Sequence, residues 1–310
     1  MSKQGLNILV TGGAGFKGVM LVESLLKRGC RVTVLDNFES GYQSLLHLVH
    51  HPNLRVVQAD ICNTTPASTA GYDVVFHLAG IVGLAACSSN PRAAHEVNTR
   101  ATERLVEGLR DEQLLIFAST TSIYGAATSV CDETWPVDPK SISSVYSKTK
   151  YEAEGVVLKR GNSIVLRFAT VFGVSPRMRM LLLVNEFVYR AINDRAIVVF
   201  DGHSKRTFMH IRDAVESYLF ALDHADKMRG EIFNVGHERL NLSKLEIAEC
   251  IRKHQPCEII QSSQPDIDHR NFTISFDKIQ RIGFVPQFSL DDGVRDLVKL
   301  FRYYKCGPSM

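Results

Sequence analysis

Between an apolar run at 6–10 and a helical pattern at 16–28, the chain reads Thr11-Gly12-Gly13-Ala14-Gly15-Phe16-Lys17-Gly18. No other stretch restricts the fold as much. Glycines recur at 12, 15 and 18, and Gly13-x-Gly15-x-x-Gly18 overlaps them. Without Cβ atoms the backbone can turn tightly out of a strand and approach a pyrophosphate. The next helix then aims its free N–H groups and positive dipole end at the phosphates. The second strand-like run, 31–35, leads into Asp36-Asn37. A carboxylate there accepts hydrogen bonds from adenosine ribose hydroxyls and repels a 2′-phosphate, so the pattern expects NAD rather than NADP. On this reading Gly12, Gly15, Phe16, Lys17, Gly18, Asp36 and Asn37 line a dinucleotide.

The rhythm continues along the chain. Strand-like runs at 31–35, 54–57, 74–77, 114–118 and 163–168 alternate with helical patterns, notably at 91–110 and 144–159. Strands separated by helices form right-handed βαβ units on a parallel sheet. Runs as apolar as Asn7-Ile8-Leu9-Val10 and Asp73-Val74-Val75-Phe76 suit strands covered on both faces. The expected fold class is therefore α/β, a doubly wound parallel Rossmann sheet with a smaller C-terminal α/β lobe. Residues 1–170 are expected to form the NAD-binding domain and 171–310 mainly the lobe, with some later elements returning to the first sheet. In the second part helices are predicted at 176–195, 213–222, 243–254 and 290–301. Strands are predicted at 197–200, 231–235 and 258–260, with 201–207 a loop.

Composition bounds the partners. The 310 residues are 45% hydrophobic and 22% charged, an ordinary globular balance. Lys plus Arg is 36 against 33 for Asp plus Glu, a formal charge of +3. That is too near balance to point to a nucleic-acid protein, whose basic patch would dominate the sum, and it leaves room for a local anion site. The seven cysteines, at 30, 62, 87, 131, 250, 257 and 306, include no Cys-x-x-Cys pair and read as reduced thiols in the cytoplasm. The N-terminus lacks the apolar core of a signal peptide. The longest mainly apolar stretch, 74–87, is shorter than the about 20 residues that a membrane span needs.

A second chemical signal is Tyr146-Ser147-Lys148-Thr149-Lys150 on the helix predicted at 144–159. Positions four apart share a helix face. A lysine ammonium beside a phenol favours the phenolate, and the pair can then act as a base toward a sugar hydroxyl. The pair lies one sheet unit beyond the strand at 115–118, whose C-terminal end carries Ser119-Thr120-Thr121-Ser122. In a doubly wound sheet, chemistry sits outside the carboxyl ends of the strands.

With these residues in view, the chain resembles the extended short-chain dehydrogenase/reductase family, in the epimerase and dehydratase branch that acts on nucleotide sugars. The matching stretches are TGGAGFKG, the LDNF around Asp36, ADI at 59–61, HLAG at 77–80 and VNTRAT at 97–102. STTSIYG at 119–125, DETWPVDP at 132–139, YSKTK, LRFATVFG at 166–173 and RTFMHIRD at 206–213 also match. The resemblance covers roughly residues 6–215 and, more loosely, the remainder. It implies that Tyr146 is the base at the sugar C4 hydroxyl and that Lys150 tunes it while holding the nicotinamide ribose. Thr120 would hydrogen-bond the same sugar oxygen. Asp60 and Ile61 would contact adenine, and Leu78, Ala79 and Gly80 would line the cofactor's path. Asn98 would be structural first and support the site second. Val82, Thr120, Thr121, Ser122, Tyr146 and Thr170 would face the sugar, and Arg206 and Arg270 would clamp the diphosphate through paired guanidinium bonds. Arg177 and Arg179 would serve equally well as solvated charges. The lobe after residue 170 would bind the substrate.

The resemblance also separates reactions. Dehydratases of this family place Asp-Glu after the Thr, and decarboxylating relatives place a Glu in the same turn. This chain has Thr121 and Ser122 there, whose hydroxyls are poor acids and bases at neutral pH. Epimerisation at C4 is therefore the expected reaction. Net 4-oxidation or 4-ketoreduction, dehydration, and a non-catalytic NAD(H)-sensing role are the alternatives. The chain departs from well-known UDP-hexose 4-epimerases at Thr170, where they have asparagine, and at Ile81-Val82-Gly83-Leu84, where they have a lysine. The family further implies a homodimer paired through the helices near 91–110 and 144–160, with Ala94, Val97, Ala101 and Val156 facing outward.

Other groups are set aside. Cys250-x3-His254-x2-Cys257 and the histidines at 47, 50 and 51 are read as ordinary side chains, so no metal is expected. His77 ends a buried strand and is read as a satisfied core group. Cys131 has no part in the expected chemistry.

Overall fold

The computed structural model describes residues 5–125, 127, 129–266 and 271–304. Its largest sheet has seven strands in the spatial order Glu231–Val235, Ser163–Phe168, Leu114–Thr120, Val74–His77, Asn7–Thr11, Arg31–Asp36 and Leu54–Gln58. From Leu114–Thr120 to Leu54–Gln58 neighbouring strands pair in parallel. The order runs outward from Asn7–Thr11 in one direction and then, from Val74–His77, in the other. That reversal opens a crevice at the carboxyl ends of these two strands, where doubly wound sheets take ligands. Every residue of Leu114–Thr120 and Ser163–Phe168 is buried, as sheet strands covered on both faces require. The edge strand Leu54–Gln58 is half-exposed.

The chain divides into two compact units. The first takes Met1–Gly125, Pro136–Arg167 and Val215–Phe233. Its core packs Leu9, Val75, Leu115, Phe117 and Val165 of the sheet against Leu105, Ala153 and Val157 of the helices. Burial of such side chains contributes roughly 1.5–3 kcal/mol each. The helix Gly18–Lys27 buries Val19, Leu21, Val22, Leu25 and Leu26. The helix Val145–Lys159 is capped by Ser144, whose hydroxyl accepts from the Ser147 N–H at 3.0 Å. The pattern at 91–110 folds as Pro91–His95, a π-helical turn at Glu96–Arg100, and Ala101–Glu107. Asn90 caps its start, accepting from the Ala93 N–H at 3.0 Å. Ala94 and Ala101 are fully buried within this unit. They are not on an outward face, which corrects the sequence expectation. A helical period alone does not say which face is covered; Ala101 packs into the core beneath the sheet, and Ala94 is covered within the same unit.

The second unit takes Ala126–Trp135, Phe168–Ala214 and Asn234–Met310. The strand Lys205–His210 pairs in parallel with Thr170–Phe172 and antiparallel with Asn241–Ser243. A parallel pair joins Ala196–Phe200 to Glu258–Ser262. The helices Leu183–Asn193, Lys244–His254 and Leu290–Phe301 enclose a core of Phe172, Val184, Val188, Ile197, Phe208, Ile247, Ile251, Val294 and Leu297. Two expectations fail here. The helix expected from 176 begins at Leu183. Pro176 turns the residue before it away from helical backbone. Asn185 then anchors the preceding loop, accepting from the Gly173 N–H at 3.0 Å and donating to the Arg179 carbonyl at 3.0 Å. The loop expected at 201–207 already contains strand from Lys205, because pairing with Asn241–Ser243 overrides its polar composition.

Candidate active site

The glycine turn leaves the sheet at Thr11. Gly12 has φ +70°, and a Cβ there would lie 2.7 Å from the Ala79 nitrogen. A Cβ on Gly18 would collide with the Gly12 carbonyl. These two glycines therefore allow the turn to nest against 78–79 and the helix to start beneath it. Asp36 ties the turn to the second strand. One carboxylate oxygen accepts from the Ala14 N–H at 3.0 Å, the other from the Phe38 N–H at 2.9 Å. Ser44 donates to the Ala14 carbonyl at 2.8 Å. Asn37 caps the next turn, accepting from the Glu39 N–H at 3.1 Å. Asp60 likewise accepts from the Cys62 N–H at 2.8 Å, next to buried Ile61. Phe16 is buried, and the Lys17 ammonium lies 5.6 Å from the Tyr218 ring centroid. This turn fits a dinucleotide: it has an unobstructed glycine cradle at a helix N-terminus and a carboxylate at the end of the second strand.

Beside the turn a buried network fixes the loop after Val74–His77. Thr102 donates its hydroxyl proton to the Asn98 carbonyl at 2.8 Å, so it must accept from His77 Nε2–H at 2.9 Å. His77 Nδ1 then accepts from the Thr11 hydroxyl at 2.7 Å, and Thr11 Oγ1 accepts from the Ala79 N–H at 3.3 Å. Both ring nitrogens are satisfied, and burial, with Lys150 adding, pushes His77 down to about 3. It is neutral and structural, as the sequence suggested. Asn98 sits on the π turn and straps the loop in both directions. It accepts from the Ile81 N–H at 2.8 Å and donates to the Ile81 carbonyl at 2.9 Å and to Thr149 Oγ1 at 3.1 Å. π turns recur at functional sites, and this one aims Asn98 at the loop.

The same loop meets the helix Val145–Lys159. Lys150 is 2% exposed, with its ammonium 4.5 Å from the Phe117 ring centroid. A Cβ on Gly80 would lie 2.8 Å from Asn98 Oδ1, so Gly80 leaves room for the amide that straps this loop. Burial lowers Lys150 to about 8, against the opposing pull of Cys87 and Glu154. Tyr146, one turn earlier, is half-buried. Thr120 ends the strand Leu114–Thr120 and caps the 3-10 turn Thr121–Tyr124. It accepts from the Ser122 N–H at 3.1 Å and donates to Ser122 Oγ at 3.1 Å. Thr121 is buried, and Val82 and Ser122 are half-buried.

One cluster was missed at the sequence level. Glu154 follows Tyr146 and Lys150 on the same helix face. It accepts from the Ser119 hydroxyl and forms a paired bond with Arg167, at 3.0 and 2.7 Å. Arg167 also donates to the Tyr124 hydroxyl at 3.0 Å. The cluster clamps the Tyr146 helix to the strands that end in Thr120 and Phe168. Its signal was present: Arg167 interrupts an otherwise apolar buried strand, and a charge there needs a partner.

Thr170 and Arg206 belong to the second unit. Arg206 is 6% exposed, with Nη2 3.6 Å from Asp266 Oδ2. The buried Lys244 ammonium donates to the same carboxylate and to the Phe200 carbonyl at 2.8 Å. Two cations thus share one carboxylate, an arrangement suited to an anion. Neither Lys244 nor Asp266 was singled out in the sequence. Arg270 lies outside the described residues. Arg177 and Arg179 lie in the irregular segment before Leu183, where Arg177 donates to the Met178 carbonyl at 3.1 Å. No helix among the described residues is long and apolar enough to cross a membrane.

A family model described as the NAD dependent epimerase/dehydratase family matches residues 8–236. The UDP-N-acetyl-alpha-D-glucosaminuronate decarboxylase of Bacillus cytotoxicus is 29% identical over 322 residues, 95% of this chain and 97% of its own. A Bacillus subtilis protein named uncharacterized UDP-glucose epimerase YtcB is 32% identical over 260 residues, 77% of this chain and 80% of its own. Among solved structures, the Thermus thermophilus UDP-glucose 4-epimerase complex with NAD is similar at TM-score 0.81 and 26% identity. That likeness covers 96% of this chain and 99% of the other.

Proposed function

The chain belongs to the NAD dependent epimerase/dehydratase family, and from that premise we propose that it is a nucleotide-sugar 4-epimerase. It oxidises the hexose of a nucleoside diphosphate sugar at C4 and returns the hydride to the other face of the resulting ketone. The names of the relatives favour UDP as the nucleotide. NAD, when bound along Gly12–Gly18, Asp36, Asp60 and 78–80, supplies the hydride acceptor and donor.

The chain's own groups do the rest. Tyr146 takes the C4 hydroxyl proton and later gives it back. Lys150 is mostly protonated at neutral pH, and its charge favours the phenolate. Thr120 orients the sugar oxygen, and Asn98 holds the loop that flanks Lys150. Arg206, with Lys244 near it, serves the diphosphate, and Thr170 faces the sugar. The first unit is thus the dinucleotide-binding part and the second mainly the substrate-binding part. We further propose a homodimer located in the cytoplasm, consistent with the six described cysteines being thiols rather than disulfides.

The observation that carries the epimerase reading is the turn after Thr120. It offers Thr121 and Ser122, and the buried carboxylate behind it, Glu154, is fully engaged by Arg167 and Ser119. No described group of that turn can withdraw the C5 proton or expel water from C6. A decarboxylase relative gives the second reading, in which a hexuronate loses its carboxyl after oxidation. The test is a panel of UDP-hexoses and UDP-hexuronates incubated with NAD-loaded protein and followed by NMR. Epimer formation supports the proposal, and a pentose product would replace it with decarboxylation. No turnover of any sugar, by the native chain or by Tyr146→Phe, would leave a dinucleotide sensor.

A further inference from the structure

In the second unit, two helix ends bring together three side chains of different chemistry. Cys250 and His254 are four apart on the helix Lys244–His254 and share a face. Asp291 stands in the first turn of Leu290–Phe301. His254 Nε2 lies 2.7 Å from Asp291 Oδ1, and one donor atom from each of the three lies within 4.8 Å of the others. The sequence spacing suggests Cys257 as the third member of this group. The fold instead turns Cys257 toward the hydrophobic core and supplies Asp291 from a different helix.

We propose that Cys250, His254 and Asp291 form a zinc-type metal site that staples the end of one helix to the start of the other, with water completing the coordination. The donor set carries the choice of metal. One thiolate, one imidazole and one carboxylate are the ligand types that Zn(II) accepts in tetrahedral sites, whereas magnesium and calcium take oxygen ligands. The geometry is close to what is needed. Bond lengths of about 2.3 Å to sulfur and about 2.0–2.2 Å to nitrogen and oxygen place tetrahedral ligands roughly 3.3–3.7 Å apart. The His254–Asp291 contact has only to open by about an ångström to reach that range. Asp291 is 55% exposed and His254 is 23% exposed, which leaves an entry path. Cys250, at 8%, is the buried anchor. Burial, with Asp291 adding, pushes the free Cys250 thiol up to about 11, so the metal itself has to displace its proton. Binding sends the Cys250 thiol proton to solvent and uses His254 as the Nδ1–H tautomer, with Nε2 on the metal.

Cobalt(II) added to chelator-stripped full-length protein tests this, because a cysteinyl thiolate on tetrahedral cobalt has a near-ultraviolet charge-transfer band and visible ligand-field bands. One equivalent of cobalt should generate both, zinc should bleach them, and either ion should raise the melting temperature. Cys250→Ser and His254→Ala should abolish the charge-transfer band and the thermal shift. Asp291→Asn should weaken binding at least as much as the roughly tenfold loss seen when an outer partner is removed. Cys257→Ser should change neither signal. Turnover by His254→Ala should remain near that of the native chain, since the site is independent of the epimerase reading. Absence of the charge-transfer band at excess cobalt, or a band that survives Cys250→Ser, would overturn the proposal and leave a hydrogen-bonded helix junction.

Discussion

Tyr146 is the residue on which the chemistry rests. On the proposed reading its hydroxyl is the base, whereas the glycine turn, Asp36 and Lys150 would hold the dinucleotide. Tyr146→Phe should therefore lose at least about 10²-fold in kcat, the lower bound for a general base, while binding NAD as before. Stopped-flow turnover with parallel calorimetry of NAD binding separates the two effects, and near-native kcat would remove Tyr146 from the mechanism. Lys150 makes a second prediction. Its ammonium is pulled down to about 8 by burial, so it is charged below that pH and neutral above it. A phenolate stabilised by the ammonium then loses its support as pH rises. The kcat of the native chain should fall through the region of pH 8, and a profile flat to pH 10 would show that the charge is not needed.

Among the elements, the helix Val145–Lys159 organises the site because one face carries Tyr146, Lys150 and Glu154 in succession. The Glu154–Arg167 pair is nearly dry, at 2% and 4% exposed. Removing one partner strands the other charge, which costs about 3–5 kcal/mol. Glu154→Ala should thus show a loss of that size in urea unfolding. Glu154→Leu combined with Arg167→Met should recover most of it, and a double variant no more stable than the single would mean the pair is not what the cluster needs. These consequences also show how far the sequence could be read. The glycine turn, Asp36, Thr120, Tyr146 and Lys150 were legible because each sits at a fixed offset from a strand or helix end. Glu154, Lys244 and Asp266 were not, because their roles arise from partners distant in the chain. The strand from Lys205 was misread for the same reason, since Asn241–Ser243 decides it from elsewhere, whereas the helix start at Leu183 is set locally, by Asn185 holding the preceding loop at Gly173 and Arg179. Ala94 and Ala101 look like interface residues by size alone, and only packing shows that both are covered within their own unit.

At the scale of the whole molecule, two histidines shape the response to acid. His77 and His210 are held neutral by burial, at about 3 and about 4, below their ordinary value of 6.5. Between those values the unfolded chain binds protons that the folded chain refuses, so stability falls as pH drops below about 6.5. The melting temperature should decline from pH 7 to pH 5, and His77→Gln should flatten that slope. An unchanged slope would locate the acid sensitivity elsewhere. The proposed dimer is tested by mass in solution at micromolar concentration, where a monomer would contradict it. The central claim is that a hydride leaves C4 and returns to the same carbon with nothing eliminated. It is tested most directly with a UDP-hexose carrying deuterium at C4, converted by the NAD-loaded protein and analysed by NMR and mass spectrometry. The account predicts a product of unchanged mass, inverted at C4 and still deuterated there. A product lighter by water or carbon dioxide, or a released ketone without deuterium, would contradict it.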